Sequence, residues 1–223
     1  DYLCNMRFLC LLLLCLACYS CYEPLEGCLD RNATNYDVDA DFECADRSCC
    51  TYPGMSLRFT PNWGTDETLD TDSFYTDASN NRFRLDRLRF YVSEVELLQV
   101  AGDTVTPENL VEMGLQEISG DTVFQELNSN LALVRSQAGD SWSLGNFTAA
   151  IDANQLLLRL GLQAPYSSVI PETMTSSHPL SRQEGLLNLI DGQGYVLTKM
   201  EYSLILASED TIAREIYVFG NEA

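Results

Sequence analysis

All nine cysteines of this chain fall between Cys4 and Cys50, and residues 51–223 have none. That asymmetry divides the folding problem in two. A stretch of about 25 residues around Cys28 and Cys50 cannot bury enough apolar surface to fold alone, so crosslinks must stand in for a core. The cysteine-free remainder must hold itself together by ordinary apolar packing. A length of 223 residues allows one sizeable domain with small appendages. The boundaries read as a leader over residues 1–20, a Cys-rich acidic module over 21–53 and a main domain over 54–223.

The leader carries its own chemistry. Arg7 precedes Phe8-Leu9-Cys10-Leu11-Leu12-Leu13-Leu14-Cys15-Leu16-Ala17-Cys18, one charge and then about ten apolar residues, which is the pattern of a secretory signal. The run is too short to cross a bilayer, which takes about 20 residues. A cysteine preceded by small residues at the end of such a run resembles a lipobox, where the leader is cut and the new N-terminal cysteine receives lipid. Cys18, after Leu16-Ala17, and Cys21, after Tyr19-Ser20, both fit. The expected location is therefore the bacterial cell envelope, periplasmic or outer-membrane and surface-exposed, with a lipid anchor as the link to the membrane. Glu23 and Glu26 just beyond the anchor fit surface sorting, and residues Asp1–Asn5, ahead of the first methionine at Met6, are expected to precede the true start.

The module that follows reads Gly27-Cys28-Leu29-Asp30, then Ala33-Thr34-Asn35-Tyr36-Asp37, then Ser48-Cys49-Cys50-Thr51-Tyr52. It resembles a repeat of bacterial secreted and surface proteins with a Gly-Cys-x-Asp start, an Ala-x-Asn-Tyr-Asp centre and a Ser-Cys-x-Tyr end. That resemblance implies a Cys28–Cys49 disulfide, leaving Cys44 and Cys50. The spacing by itself leaves all three pairings of four cysteines open. Either way the module calls for an oxidising compartment. Asp37, Asp39 and Asp41 offer alternate carboxylates to calcium, but the glycine and distal glutamate of an EF-hand loop are missing, so a solvated turn is the expected reading. Zinc is disfavoured, because there are no paired Cys-x-x-Cys knuckles and no nearby histidine.

Acidic residues outnumber basic ones 33 to 13, for a formal charge of −20, and Lys199 is the one lysine. Such a chain repels phosphate backbones, which excludes nucleic acid as a partner.

From Gly54 onward, short alternating runs separated by Gly, Asp and Asn clusters predict an all-β fold, a sandwich or barrel and not an α/β fold. In Arg82–Leu97 the apolar phase runs through Phe83 and Leu85, slips near Arg87, continues through Leu88, Phe90 and Val92, and slips again to Val95 and Leu97. Such slips predict bulges or sheet-crossing bends. Val196, Thr198, Met200, Tyr202, Leu204 and Leu206 share one face of a later strand, with Lys199, Glu201 and Ser203 on a face expected to meet water. Thr106-Pro107 through Gly114, with a cap, a first-turn proline and a terminal glycine, predicts one short helix in a connection. No phosphate loop, HExxH or nucleophile elbow occurs, and His178 is the single histidine. A nucleophilic catalytic centre has nothing to build on, and the chain is expected not to be an enzyme.

Several segments together resemble the MbnP-like family, periplasmic and surface proteins named for a methanobactin-associated copper-binding protein. They are Leu57-Arg58-Phe59, Phe74-Tyr75 ahead of Phe83, Leu88-Arg89-Phe90-Tyr91-Val92-Ser93-Glu94-Val95-Glu96-Leu97, and Ser177-His178-Pro179-Leu180 leading to Gly194-Tyr195-Val196-Leu197-Thr198-Lys199-Met200-Glu201. The resemblance implies an antiparallel Ig-like β-sandwich and, in some members, copper held by histidines and an oxidised tryptophan. His178 is the candidate metal ligand on that basis. The sequence departs from the rest of that chemistry: Leu186-Leu187-Asn188-Leu189-Ile190-Asp191 stands where the family often has tryptophans, and Ile216-Tyr217-Val218-Phe219-Gly220 where it tends to have a Tyr-His-Leu-Gly. Copper wants imidazole or sulfur ligands, so one imidazole among carboxylates makes a weak site, and a turn role for His178 competes with a ligand role. Trp63 and Trp142 have no histidine two or four residues away and are expected to be buried. Family members usually continue beyond the position of Ala223, so further strands are expected downstream. Two functions follow as expectations: a lipid-anchored binding protein of the MbnP-like kind with copper as its family-level cargo, or a structural module that presents loops to an envelope protein partner.

Overall fold

The computed structural model describes residues 23–64, 67–136, 141–162, 164–182, 195–206, 208 and 210–219. The chain forms two compact units, Asp1–Tyr52 and Pro53–Ala223.

In the first unit, β1 (Glu26–Gly27) and β2 (Phe42–Glu43) make a short parallel pair, and a single 3-10 turn covers Ala45–Arg47. Two disulfides supply what the strands cannot: Cys28–Cys50 and Cys44–Cys49. The expected Cys28–Cys49 bond is thereby corrected. Cys44 and Cys49 flank the 3-10 turn, and the Cys49 amide donates to Cys44 Sγ at 3.0 Å. The adjacent Cys50 then projects the other way, to Cys28. The signal was in the sequence, since Cys50-Thr51-Tyr52 satisfies the Cys-x-Tyr spacing and Cys49 does not.

The repeat's polar residues are its anchors. Asp30 accepts from the Asn32 amide (2.9 Å), the Tyr52 hydroxyl (2.9 Å) and Arg47 Nη1 (2.8 Å). The Asn32 amide first, and the Tyr52 hydroxyl second, hold its carboxyl below the ordinary range. Asn35 donates to the Cys49 carbonyl at 2.8 Å and accepts from the Thr51 amide at 2.7 Å.

The second unit is all-β. Its early strands are β3 (Gly54–Arg58), β4 (Asn62–Trp63), β5 (Glu67–Thr68), β6 (Tyr75–Thr76), the 18-residue β7 (Arg82–Gln99) and β8 (Thr104–Val105). Later come β9 (Leu110–Gln116), β10 (Thr122–Asn128), β11 (Leu131–Arg135), β12 (Ser141–Asn146), β13 (Ala153–Leu160), β14 (Val196–Ile205) and β15 (Thr211–Phe219).

Strand β7 is the spine of a seven-stranded sheet. The path runs β11-β7-β14-β15, with β6, β8 and β13 also paired to β7. Residues 89–90 pair with both β11 and β14, and 92–93 with both β11 and β13. One edge of β7 therefore serves β14 and then β13, while the other serves β11.

Both predicted phase slips mark real irregularities. At the first, Glu201 pairs with Arg87 and Tyr202 with Leu85, so Asp86 is the extra residue. Its carboxylate is fixed by Ser203 Oγ (2.6 Å) and Arg84 Nε (2.8 Å). At the second, Glu94 adopts φ 49° beside the register shift against β13. Each bulge resets the side-chain parity, which keeps apolar residues on one face over 18 positions.

The expected sandwich takes a particular form: a central sheet covered on both faces. On one face Val92, Val95 and Val134 pack against Leu57 and Leu144 of the antiparallel β3–β12 ribbon. On the other, Tyr91, Leu131 and Leu133 pack against Met113 of the β9–β10 hairpin and against Leu162, Val169 and Leu180. Each fully buried side chain of this size contributes about 1.5–3 kcal/mol.

Two local expectations are corrected. Residues 110–114, expected in a helix, belong to strand β9. Gly114 is not a helix cap. It lies where Thr173 crosses the hairpin, and a Cβ there would sit 2.5 Å from Thr173 Cγ2. In β14 the face expected to meet water is the more covered one: Lys199 is 6% and Ser203 5% exposed, while Met200, Tyr202 and Leu204 are half-buried. The strand lies between β7 and β15, so neither edge is free, and on this face Lys199 is covered by Glu201, Glu215 and the Tyr217 ring.

Candidate functional site

His178 lies in the segment that caps the Tyr91 face of the sheet. That segment is tied down by tyrosines: Tyr91 donates to the Pro179 carbonyl (3.3 Å), Tyr195 to the Val169 carbonyl (2.9 Å) and Tyr166 to the Asn128 carbonyl (2.6 Å). Pro179 directs the chain into a turn in which the Ser181 amide donates to the His178 carbonyl at 3.0 Å.

The imidazole is buried, and both nitrogens are engaged. The Leu180 amide donates to Nδ1 at 3.1 Å, and Nε2 lies 2.7 Å from Ser129 Oγ. A backbone N–H can only donate, so Nδ1 holds the lone pair and the neutral ring carries its proton on Nε2. Burial lowers the pKa of this ring from 6.5 to about 4. A metal ion would have to displace the Leu180 amide from Nδ1, or strip the Nε2 proton and the Ser129 contact.

Behind the β7–β14 register lies an ion network around Glu201. Its carboxylate meets Lys199 Nζ at 2.7 Å and both Arg87 Nε and Arg89 Nη2 at 3.4 Å. Lys199 also reaches Glu215 Oε1 at 3.5 Å and lies 5.1 Å over the Tyr217 ring. The Tyr217 hydroxyl donates to Glu215. Burial works to lower the Lys199 pKa, but its bonds to Glu201 and Tyr217 outweigh it and leave the ammonium above its ordinary range. One carboxylate shared by three cations is a cross-brace between strands.

The other predicted site residues come out as follows. Cys18 and Cys21 lie outside the described residues, as does the 186–191 segment where the family's tryptophans were sought. Asp37, Asp39 and Asp41 do not converge: Asp37 accepts from the Asp39 amide and Asp41 from the Leu25 amide. Among the described residues the one cluster of three potential metal-ligating groups is Cys44, Cys49 and Cys50, and the disulfides consume those sulfurs. Trp142 is half-buried, whereas Trp63, expected to be buried, is 39% exposed. Its ring stands against Tyr75 at 4.7 Å and Phe83 at 5.5 Å between centroids.

This arrangement, with the His-Pro-Leu turn beneath Tyr91 and Tyr195 and the lysine-bearing strand beside β7, places together the segments singled out in the sequence. The pattern that defines the MbnP family matches residues 52–220. The chain belongs to the MbnP family. Neither a curated protein nor a solved structure matches it. The match covers the whole second unit up to Gly220, so the spine strand, the His178 turn and the Glu201 network are all parts of an MbnP domain. Sequence reasoning missed the partners of His178. Ser129 is 49 positions away, and no local pattern connects the two.

Proposed function

We propose that this MbnP protein is a non-catalytic, lipid-anchored binding protein of the bacterial envelope, tethered through Cys18 or Cys21. The disulfide module would serve as spacer. The Cys28–Cys50 and Cys44–Cys49 bonds carry the reading of location, because two disulfides within one short module are stable only where thiols are oxidised. The apolar run before Cys18 supports export and the acidic composition suits an exposed soluble face.

Copper is the family-level cargo. The described residues do not fit it: one imidazole, with both nitrogens hydrogen-bonded inside the fold, and no free thiolate. A second reading, docking to an envelope protein, draws support from β13. There Leu156, Leu157, Leu158 and Leu160 are each at least 40% exposed, an unusual apolar display on a strand paired along one edge.

Mass spectrometry of the protein from a lipid-modifying bacterial host tests the anchor. The expected product begins at a diacylated Cys18 or Cys21, and an uncleaved, unlipidated N-terminus refutes the tether. Titration with Cu(I) and Cu(II) tests the cargo. The expected result is no stoichiometric binding that His178→Ala abolishes; tight binding lost in that variant restores copper as the function.

A further inference from the structure

On the face of the sheet away from His178, the connection from β3 to β4 arches over β7 and β14. Between them is a cavity of about 510 Å³, walled by Phe59, Trp63, Phe83, Leu88, Phe90 and Met200 among others. Well-packed interiors hold few voids larger than a water molecule, and this volume falls in the 300–1,000 Å³ range typical of small-molecule sites. The walls are held apart by rings in edge contact: Phe59 and Phe90 at 6.2 Å, Trp63 and Phe83 at 5.5 Å.

The polar character of the lining decides what fits. The chain has 33 acidic side chains, yet none of the described residues lining the cavity is acidic. Arg135 is the one charged lining residue, and its guanidinium stands 5.7 Å from the Trp142 ring centroid. In register it lies opposite Arg89, while its neighbour Val134 joins the core cluster on the cavity side. Ser136 Oγ accepts the Leu88 amide at 3.0 Å and so faces its own strand partner. Thr60 and Asn62 are exposed at the mouth. A cation would be desolvated here without an acidic partner, and an anion would find only the Arg135 guanidinium, which is engaged with the Trp142 ring, whereas an uncharged apolar ligand would cover the exposed part of Trp63.

We propose that this cavity is a binding site for an uncharged, apolar small molecule. The site is independent of His178 and of any metal, and stands whether or not the chain is lipid-anchored. Phenylnaphthylamine, which brightens in apolar surroundings, is a suitable neutral probe, and anilinonaphthalenesulfonate is the same ring system with a negative charge. The test uses the full chain carrying Cys18→Ser and Cys21→Ser, which prevents attachment of an acyl chain. The neutral probe is expected to bind saturably, and the sulfonate about tenfold more weakly, the cost of a charge without a partner. Thr60→Phe at the mouth and Met200→Trp on the floor each fill space and should weaken the neutral probe about tenfold, in proportion to the apolar contact removed. Thermal unfolding checks that each variant is folded, and either one suffices if the other is not. Absence of saturable binding, equal affinity for both probes, or unchanged affinity in a folded filled variant each overturns the proposal.

Discussion

Acidification offers a direct test of the His178 turn. The ring is neutral in the fold, with a pKa near 4 against an ordinary 6.5. Below pH 6.5 the unfolded chain takes up a proton that the folded chain refuses, so stability falls with decreasing pH across the interval from 6.5 to about 4. Fully expressed, that gap corresponds to roughly 3 kcal/mol, of which about 2 kcal/mol is lost between pH 7 and pH 5. The carboxyls held low in the fold, Asp30, Asp70, Asp77, Glu172 and Glu215, have ordinary values of 3.8 or 4.5 and lose their contributions only as pH falls below those values. The window from pH 7 to pH 5 therefore isolates the histidine. The matching control is His178→Asn, whose side-chain oxygen can still accept the Leu180 amide two residues on, as in an Asx-turn, but which does not titrate. Urea unfolding at pH 7, 6 and 5, followed by tryptophan emission, reports the right unit, because Trp63 and Trp142 both lie within Pro53–Ala223. The native chain should lose about 2 kcal/mol that the variant keeps. Parallel losses in both would show that the ring is not held neutral by its surroundings.

Gly145→Ala should destabilise the second unit by about 3 kcal/mol or more in urea unfolding, since φ is +109° and a Cβ would fall 2.1 Å from the Glu108 carbonyl oxygen. Lys199→Met should cost about 1–3 kcal/mol, less than a fully orphaned buried charge, because Glu201 keeps Arg87 and Arg89. Adding Glu201→Gln to Lys199→Met should not recover the loss, since it also takes the carboxylate from Arg87 and Arg89; full recovery would show that Glu201 serves the lysine alone. A chain with Cys44→Ala and Cys49→Ala should retain a Cys28–Cys50 bond that protects both thiols from alkylation, and labelling of Cys28 without reductant would contradict the pairing.

What the sequence revealed followed the reach of each interaction. The bulges at Asp86 and Glu94 were readable because a bulge shifts the apolar phase of its own strand. The covered state of Lys199 was not, because alternation reports which residues share a face and is silent about what lies on that face. Gly114 misled in the same way: a glycine required by the close approach of Thr173, 59 positions later, looks locally like a helix stop. The cysteine pairing is ambiguous locally, because Ser48-Cys49 fits the Ser-Cys step of the motif while only Cys50 fits its Cys-x-Tyr spacing. His178 is legible as a lone histidine, but its state depends on Ser129, and the cavity depends on four segments that meet only in the folded sheet.

The spine strand also sets when this domain can form. The bond from Ser203 to the bulged Asp86 closes a span of 117 residues, and β7 meets its longest neighbour, β14, only after residue 196 has been made. Contacts between such distant segments form slowly, since loop-closure entropy must be met before any pairing rewards it. A growing chain would hold Phe83, Leu85, Leu88 and Phe90 without their β14 partners until nearly all of the domain had been synthesised. For a chain exported as proposed, that delay would favour threading across a membrane before folding, and the interval before β14 arrives is the one in which a holding chaperone would matter most.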